Sequence, residues 1–353
     1  MAHTETAGSS GAMMPVDLAA RRASASSSST LPGWRRPRIT RRGIQIALGC
    51  IWLLDGLLQF QSFMYTHAFI DNVILPTAQG QPGVISDPIT TIGNFYGRDL
   101  TLWNTIAAEV QCVIGLGLLA SRRTVRPALF LSFLWAPIVW WLGEGFGTIL
   151  SGAPVSPLMG APGAVIVYAL IGALVWPRRD ETEAHDAAPV DGGLLGRRGG
   201  RVVWSVVWLE AAVLWLLDVD RSRTAIHDQI SGMASASPHW LASVMNPIAN
   251  DAQGHGVAIA TILAVVSILI ALGVWWAPAR TGALALGIVL ALAYWLFGQA
   301  LGGPFWAGQA TDVNTAPLLV LLAVTVYGQF SEAREPVGTA VRARPAGGAV
   351  VAT

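Results

Sequence analysis

Apolar residues gather into eight runs along this chain, at roughly 43–64, 100–120, 127–146, 161–177, 202–217, 256–276, 282–301 and 315–330. Polar or small residues separate them. A bilayer core about 30 Å thick takes about 20 helical residues to cross, so each run is predicted to be a transmembrane helix. The fourth, fifth and eighth are short and need tilt or help from neighbouring residues. Residues 1–42 and 331–353 hold no such run and read as disordered tails. The stretch 178–201, charged and rich in glycine, reads as a cytoplasmic linker.

One pattern occurs twice. Trp140 to Pro162 reads WWLGEGFGTILSGAPVSPLMGAP, and Trp295 to Pro317 reads WLFGQALGGPFWAGQATDVNTAP. At one ungapped offset Trp140 meets Trp295, Gly143 meets Gly298, Glu144 meets Gln299, Gly147 meets Gly302 and Pro162 meets Pro317. Each copy leaves one apolar run, turns through small residues around an acid or amide, and enters the next. A constant offset of this kind implies a duplicated unit. The predicted architecture is therefore an all-α membrane protein of eight transmembrane helices in two tandem four-helix repeats, 43–177 and 202–330. Four spans per unit give both units the same orientation, a parallel repeat.

Each unit also has a long exterior stretch between its first two helices, carrying Asp87-Pro88-Ile89 in one and Asn246-Pro247-Ile248 in the other, with Gly97 and Gly256 following at the same offset. These stretches are expected to be loops that cap the hairpin turns. The register of the first helices stays open: Asp55 corresponds to Glu210 or to Asp218.

Charge supplies an orientation. The chain has 22 basic residues other than histidine, all arginine, and its net charge is +1. With the N-terminus inside, the tails and the segments 121–126, 178–201 and 277–281 hold every arginine except Arg98, Arg221 and Arg223. That agrees with the positive-inside rule and puts both termini in the cytoplasm, in the plasma membrane of a bacterium. Thr40-Arg41-Arg42 is similar to a twin-arginine signal but reads as an arginine anchor for the first helix. The absence of lysine excludes Schiff-base chemistry and a lysine-bearing phosphate loop.

Ionisable groups within apolar runs are costly and usually face a bundle interior or cavity. Counted at 1.5 Å per residue from the cytoplasmic ends, Asp55 lies about 18 Å deep and Glu109 about 16 Å. The two either share a proton at a polar ligand site or are buried carboxyls satisfied by their neighbours. Glu144 and Gln299 sit in the hairpins, whose turns hold Gly143, Gly145 and Gly147 in one and Gly298 and Gly302 in the other. Glu210 completes the set of candidate polar groups. Cys50 and Cys112 are either a redox pair or apolar packing residues. The six histidines avoid every apolar run, which argues against a haem held between helices, and no metal-ligand spacing is present. Nothing in the pattern marks nucleic-acid binding, and no nucleotide, flavin or metal motif marks an autonomous enzyme.

The second helix and its exit, IAAEVQCVIGLGLLASRRTVRPALF from Ile106 to Phe130, resemble the DoxX/DoxD group of small four-helix membrane proteins. Glu109, Gly115, Gly117 and Arg122 or Arg123 stand where that group's second-helix pattern has its Glu, glycines and Arg. The first helix, IALGCIWLLDGLLQF, is similar to the group's glycine-containing first helix, with Gln59 roughly where lysine is common. The resemblance covers residues 43–177; the second half keeps Leu272-Gly273 and Arg280 but has no matching Glu. It implies a membrane component linked to thiol, thiosulfate or quinone redox chemistry, with a membrane or exterior redox protein as partner and quinone as the associated small molecule. Two other readings stand beside it: a small-solute or proton-coupled transporter, and a scaffold or assembly subunit without turnover.

Overall fold

The computed structural model describes residues 39–177, 188–303, 305 and 308–331. The tails expected at 1–38 and 332–353, and residues 178–187 of the expected linker, lie outside the described residues. Every regular element among the described residues is helical; the one strand-like pairing is a bridge between Thr40 and Pro189.

Helix α1 (Arg41–Leu58) begins at Thr40, whose hydroxyl accepts the Gly43 N–H at 3.1 Å. Short turns from Ser62 to Ala78 lead to α2 (Gly83–Tyr96) and then to α3 (Leu100–Ala120), which is capped by Asp99. Ser121 and Thr124 form a capping box that starts α4 (Arg122–Leu142) one residue later. A hairpin follows, then α5 (Ala164–Leu174). The second half runs α6 (Gly199–Trp215), α7 (Ala225–Ser235), α8 (His239–Ala252), α9 (Gly256–Gly273), α10 (Arg280–Phe297), a second hairpin and α11 (Thr315–Ser331). The stretch 83–120, α4, α9 and α10 are long and apolar enough to cross a membrane; α5 and α11 are apolar but shorter.

Helices α1 and α3 pack closely because small residues line their contact. A Cβ on Gly115 would lie 2.6 Å from the Leu53 backbone nitrogen, and one on Gly56 would lie 2.8 Å from that of Cys112. Where apolar burial against lipid drives nothing, such close backbone approach supplies the packing energy. The same kinds of contact appear in the second half. A Cβ on Gly273 would lie 2.7 Å from that of Ala283, as one on Gly117 in the first half would lie 2.8 Å from that of Ala128. Gly49 lies against the carbonyl of Gly115, and the Ser205 hydroxyl donates to that of Ala271.

The stretches 65–99 and 218–255, expected to be loops, fold largely into helices. Pro82 and Pro238 hold matching N-cap positions, with φ/ψ of −55/145° and −57/149°. Pro88 and Pro247 therefore stand at different turns of α2 and α8 and do not correspond. The expected linker is also structured from residue 188 onward: Arg41 pairs with Asp191 at 2.9 Å, and α6 starts at Gly199.

The described residues fall within one compact unit. Helices α5 and α11 pack together, and the Thr315 hydroxyl donates to the Gly160 carbonyl at 2.6 Å. Arginines gather at the end opposite the hairpins. Arg42 donates to the Leu118 and Leu119 carbonyls at 2.7 and 2.8 Å, Arg126 to Pro177 at 3.0 Å, and Arg280 to Val274 at 3.1 Å. Each satisfies carbonyls left free at a helix C-terminus.

Candidate functional site

The hairpins have the same construction. Gly143 and Glu144 both donate their N–H to the Val139 carbonyl, at 2.8 and 2.9 Å, ending α4. Gly298 and Gln299 do the same to Tyr294, at 2.9 and 3.0 Å, ending α10. Each chain then passes through four consecutive left-handed residues. In the first hairpin these are Gly145, Phe146, Gly147 and Thr148, with φ between 53° and 68°; in the second they are Ala300, Leu301, Gly302 and Gly303, with φ between 45° and 107°. Left-handed backbone costs about 1–2 kcal/mol per non-glycine residue, so both turns hold strain against the surrounding packing. Gly147 is doubly required, because a Cβ there would also meet the Pro162 carbonyl at 2.5 Å.

Across each turn, the acid or amide caps the next helix. Glu144 Oε1 accepts the Val165 N–H at 3.1 Å, and Gln299 Oε1 accepts the Ala316 N–H at 3.2 Å. Gln299 also donates to the Leu158 carbonyl at 3.5 Å and is 1% exposed. Gly298 brings its backbone against that same Leu158 carbonyl. The indole N–H groups of Trp140 and Trp295 tie the hairpins off, reaching the Pro162 and Val313 carbonyls at 2.7 and 3.2 Å.

Beneath the first hairpin, α1 to α5 surround a half-open chamber of about 330 Å³. Its polar groups include Asp55, Gln59, Tyr96, Gln111, Glu144, Tyr168, Thr311 and Asp312; much of the rest of its wall is aromatic or aliphatic. Asp55 is 3% exposed, and its Oδ2 accepts a short hydrogen bond from the Tyr168 hydroxyl. Tyr168 packs on Trp52 with ring centroids 4.5 Å apart. The indole nitrogens of Trp52 and Trp135 are buried without a hydrogen-bond partner. A second cavity, about 370 Å³, lies among the hairpins and shares Glu144, Ala164 and Asp312 with the first.

Asp312 comes from the second hairpin, which closes onto the first half through Gln59 and Gln61. Their amides donate to the Thr311 and Ala310 carbonyls at 3.2 and 2.9 Å. Burial raises the pKa of Asp312 above the ordinary carboxylate value, against the opposing hydrogen bonds from the Asn314 N–H and the Thr311 hydroxyl. A separate buried network holds the first hairpin to the second half. Asp220 accepts from the Val155 N–H at 3.3 Å and from Gln229 at 3.1 Å, and Ser156 donates to Gln229 at 2.6 Å. Burial raises the pKa of Asp220 as well.

The sequence-based set thus divides. Asp55 and Glu144 line one chamber. Glu109, read from sequence as either sharing a proton with Asp55 or buried among its neighbours, lies exposed on the outer face of α3. The buried face of that helix runs through Asn104, Ala108, Gln111, Ile114 and Leu118, and Glu109 stands one residue, about 100°, away from it. Gln299 serves the second hairpin as a cap and does not line the chamber. Glu210 is half-buried on α6, away from the chamber, with neither oxygen hydrogen-bonded. Both cysteines are free thiols; Cys50 is exposed, and Cys112 packs against Gly56. Among the described residues, no group of three or more His, Cys, Asp or Glu side chains is placed to hold a metal ion.

Tyr168, Asp312 and Trp52 were not among the expected site residues. Tyr168 is the one polar-tipped side chain in the apolar run of α5, a signal available in the sequence. Asp312 gave none, because its role depends on the second hairpin reaching back to α1. No family model, curated protein or solved structure matches this chain.

Proposed function

We propose that this protein is a DoxX-like accessory component of membrane redox processes, built as two tandem four-helix units, whose first unit binds a small, largely apolar molecule. The observation that carries the binding role is the chamber: half-open, mostly apolar, and lined by the carboxyls of Asp55, Glu144 and Asp312 beside the phenols of Tyr96 and Tyr168. Sites for small molecules have this character, an apolar volume of about 300–1,000 Å³ with a few placed polar groups. The family setting rests on the second-helix resemblance and brings quinone in as a ligand to test.

Several matches support the tandem reading: the paired left-handed turns, the paired caps of Glu144 and Gln299, and the equivalent contacts of Gly117 with Ala128 and Gly273 with Ala283. In the register they define, Gly49 answers Ser205, and Asp55 therefore answers Ala211 rather than Glu210 or Asp218. Tyr168 answers Leu319, and Val139 answers Tyr294. The second unit thus has no acid–phenol pair. Its interior holds Trp204, Trp208, Trp215 and Tyr294, all buried, with Trp215 donating to the Tyr294 hydroxyl at 3.1 Å. On this account the first unit keeps a ligand chamber and the second fills the equivalent volume with aromatic rings.

A second reading, a small-solute carrier, is favoured by one observation. Glu144 and Asp312 border both cavities, so a solute passing from the hairpin end into the chamber would cross between two carboxyls. Binding and uptake separate the readings. The full chain in lipid nanodiscs, titrated with a short-chain benzoquinone and followed by tryptophan quenching against empty discs, is expected to show saturable binding. Proteoliposomes loaded with a pH dye test the carrier; acidification driven by a solute gradient would favour it over the accessory role.

A further inference from the structure

We propose that the chamber of the first unit is selective for organic cations with an apolar body, amines or quaternary ammonium compounds, over neutral molecules of the same shape. The inference rests on the reading of the chamber as a ligand site. Three carboxyls border it, Asp55, Glu144 and Asp312, and no arginine or histidine does. The chain has no lysine to supply one. Carboxylates withdrawn from water are usually paired with a cation from the protein, because an unpaired buried charge is strongly unfavourable. Among the described residues none lines the chamber, so burial favours the protonated carboxyls until a ligand of opposite charge completes the pairing.

The kind of cation follows from the remaining geometry. The carboxyls are not gathered as a metal-type cluster among the described residues, so the charge is not that of a bare ion held by three acids. The wall between them carries Trp52, Trp103, Trp135 and Tyr168. Aromatic faces attract cations, indole most strongly, and desolvated pairs contribute about 2 kcal/mol or more. Asp55, almost wholly buried, lines the same wall as Trp52 and Tyr168. A ligand nitrogen carrying positive charge suits the carboxyl, and the ligand's apolar body suits the rings. The volume, about 330 Å³, has room for a ring system beside the charged group.

A matched pair of probes tests this: (2-naphthylmethyl)trimethylammonium and its carbon isostere 2-neopentylnaphthalene, which differ only in N⁺ against C. Each is titrated by equilibrium dialysis into nanodiscs holding the full chain, with partition into empty discs subtracted. The expected result is binding of the cation at least tenfold tighter than of the isostere. Asp55→Asn should remove most of that preference. Asp312→Asn, in a loop and able to keep the Asn314 hydrogen bond, should reduce the preference severalfold, and it supplies the same test if the α1 variant fails to fold. Equal or tighter binding of the isostere, or of a neutral benzoquinone, by the wild type overturns the cation preference and leaves the chamber standing. Absence of saturable binding by every probe overturns both.

Discussion

Asp55 and Tyr168 meet across α1 and α5, and each is the other's hydrogen-bond partner inside an apolar wall. Removing one leaves the other's polar atom buried without a bond, a change worth about 1–3 kcal/mol. Tyr168→Phe is therefore expected to lower stability by that amount in detergent thermal unfolding, whereas Glu109→Gln, on the exposed face of α3, should stay within about 0.5 kcal/mol. A larger loss for Glu109→Gln would restore the pairing that its depth along the helix suggested. Depth was legible in the sequence; which face of α3 meets α1 was not, since α3 is apolar nearly all round. Asp312 allows a pH test. Its folded-state pKa is raised by burial, so between about pH 4 and that value the unfolded chain has lost a proton the folded chain keeps. Stability contributed by this group is present at lower pH and lost as pH rises. Asp312→Asn should show a flatter dependence than the wild type over that range; parallel curves would mean that the carboxyl is not buried in solution.

The hairpins are the elements that the sequence described best. A turn of left-handed residues tolerates few side chains, so glycines recur at fixed places, and the following helix needs an oxygen to cap it, so Glu144 and Gln299 recur too. The long stretches before α3 and α9 were expected to be loops because they hold no apolar run long enough to cross a membrane. Pro82 and Pro238 sit just before the helices they start, positions where proline does no harm. The cap also makes a prediction. Gln299 shows that an amide holds a helix N-terminus in this setting, so Glu144→Gln should fold with near wild-type stability, and Glu144→Ala should lose about 0.5–2 kcal/mol, the usual value of a lost N-terminal cap. Equal losses for the two, measured by urea or thermal unfolding in detergent, would remove the capping role. If Glu144→Gln folds normally but weakens ligand binding, the carboxyl's charge acts on the chamber and its oxygen acts on α5.

On the scale of the whole molecule, arginine placement and helix direction agree. In the proposed orientation, with both termini inside, the end where arginines meet helix carbonyls faces the cytoplasm and the hairpins with both cavities face outside. Reporters fused after residues 80, 155 and 235 should therefore read outside, and those after 123, 190 and 279 inside; reversal at any two would break the eight-span topology. The all-helical character was legible from the apolar runs. The closing of the second hairpin onto α1, which brings Asp312 to Asp55, was not, because it joins residues some 250 positions apart whose local sequence carries no sign of each other. The central claim is that two related units treat the same volume differently, the first keeping it open for a ligand and the second filling it. Val139→Tyr tests this most directly, since it gives the first unit the residue with which the second fills its own interior. Binding of the naphthyl and quinone probes is measured by dialysis to nanodiscs bearing wild type and variant. The account predicts a folded variant, unchanged in gel filtration, whose saturable binding falls at least tenfold. A folded Val139→Tyr that binds as the wild type does would contradict it.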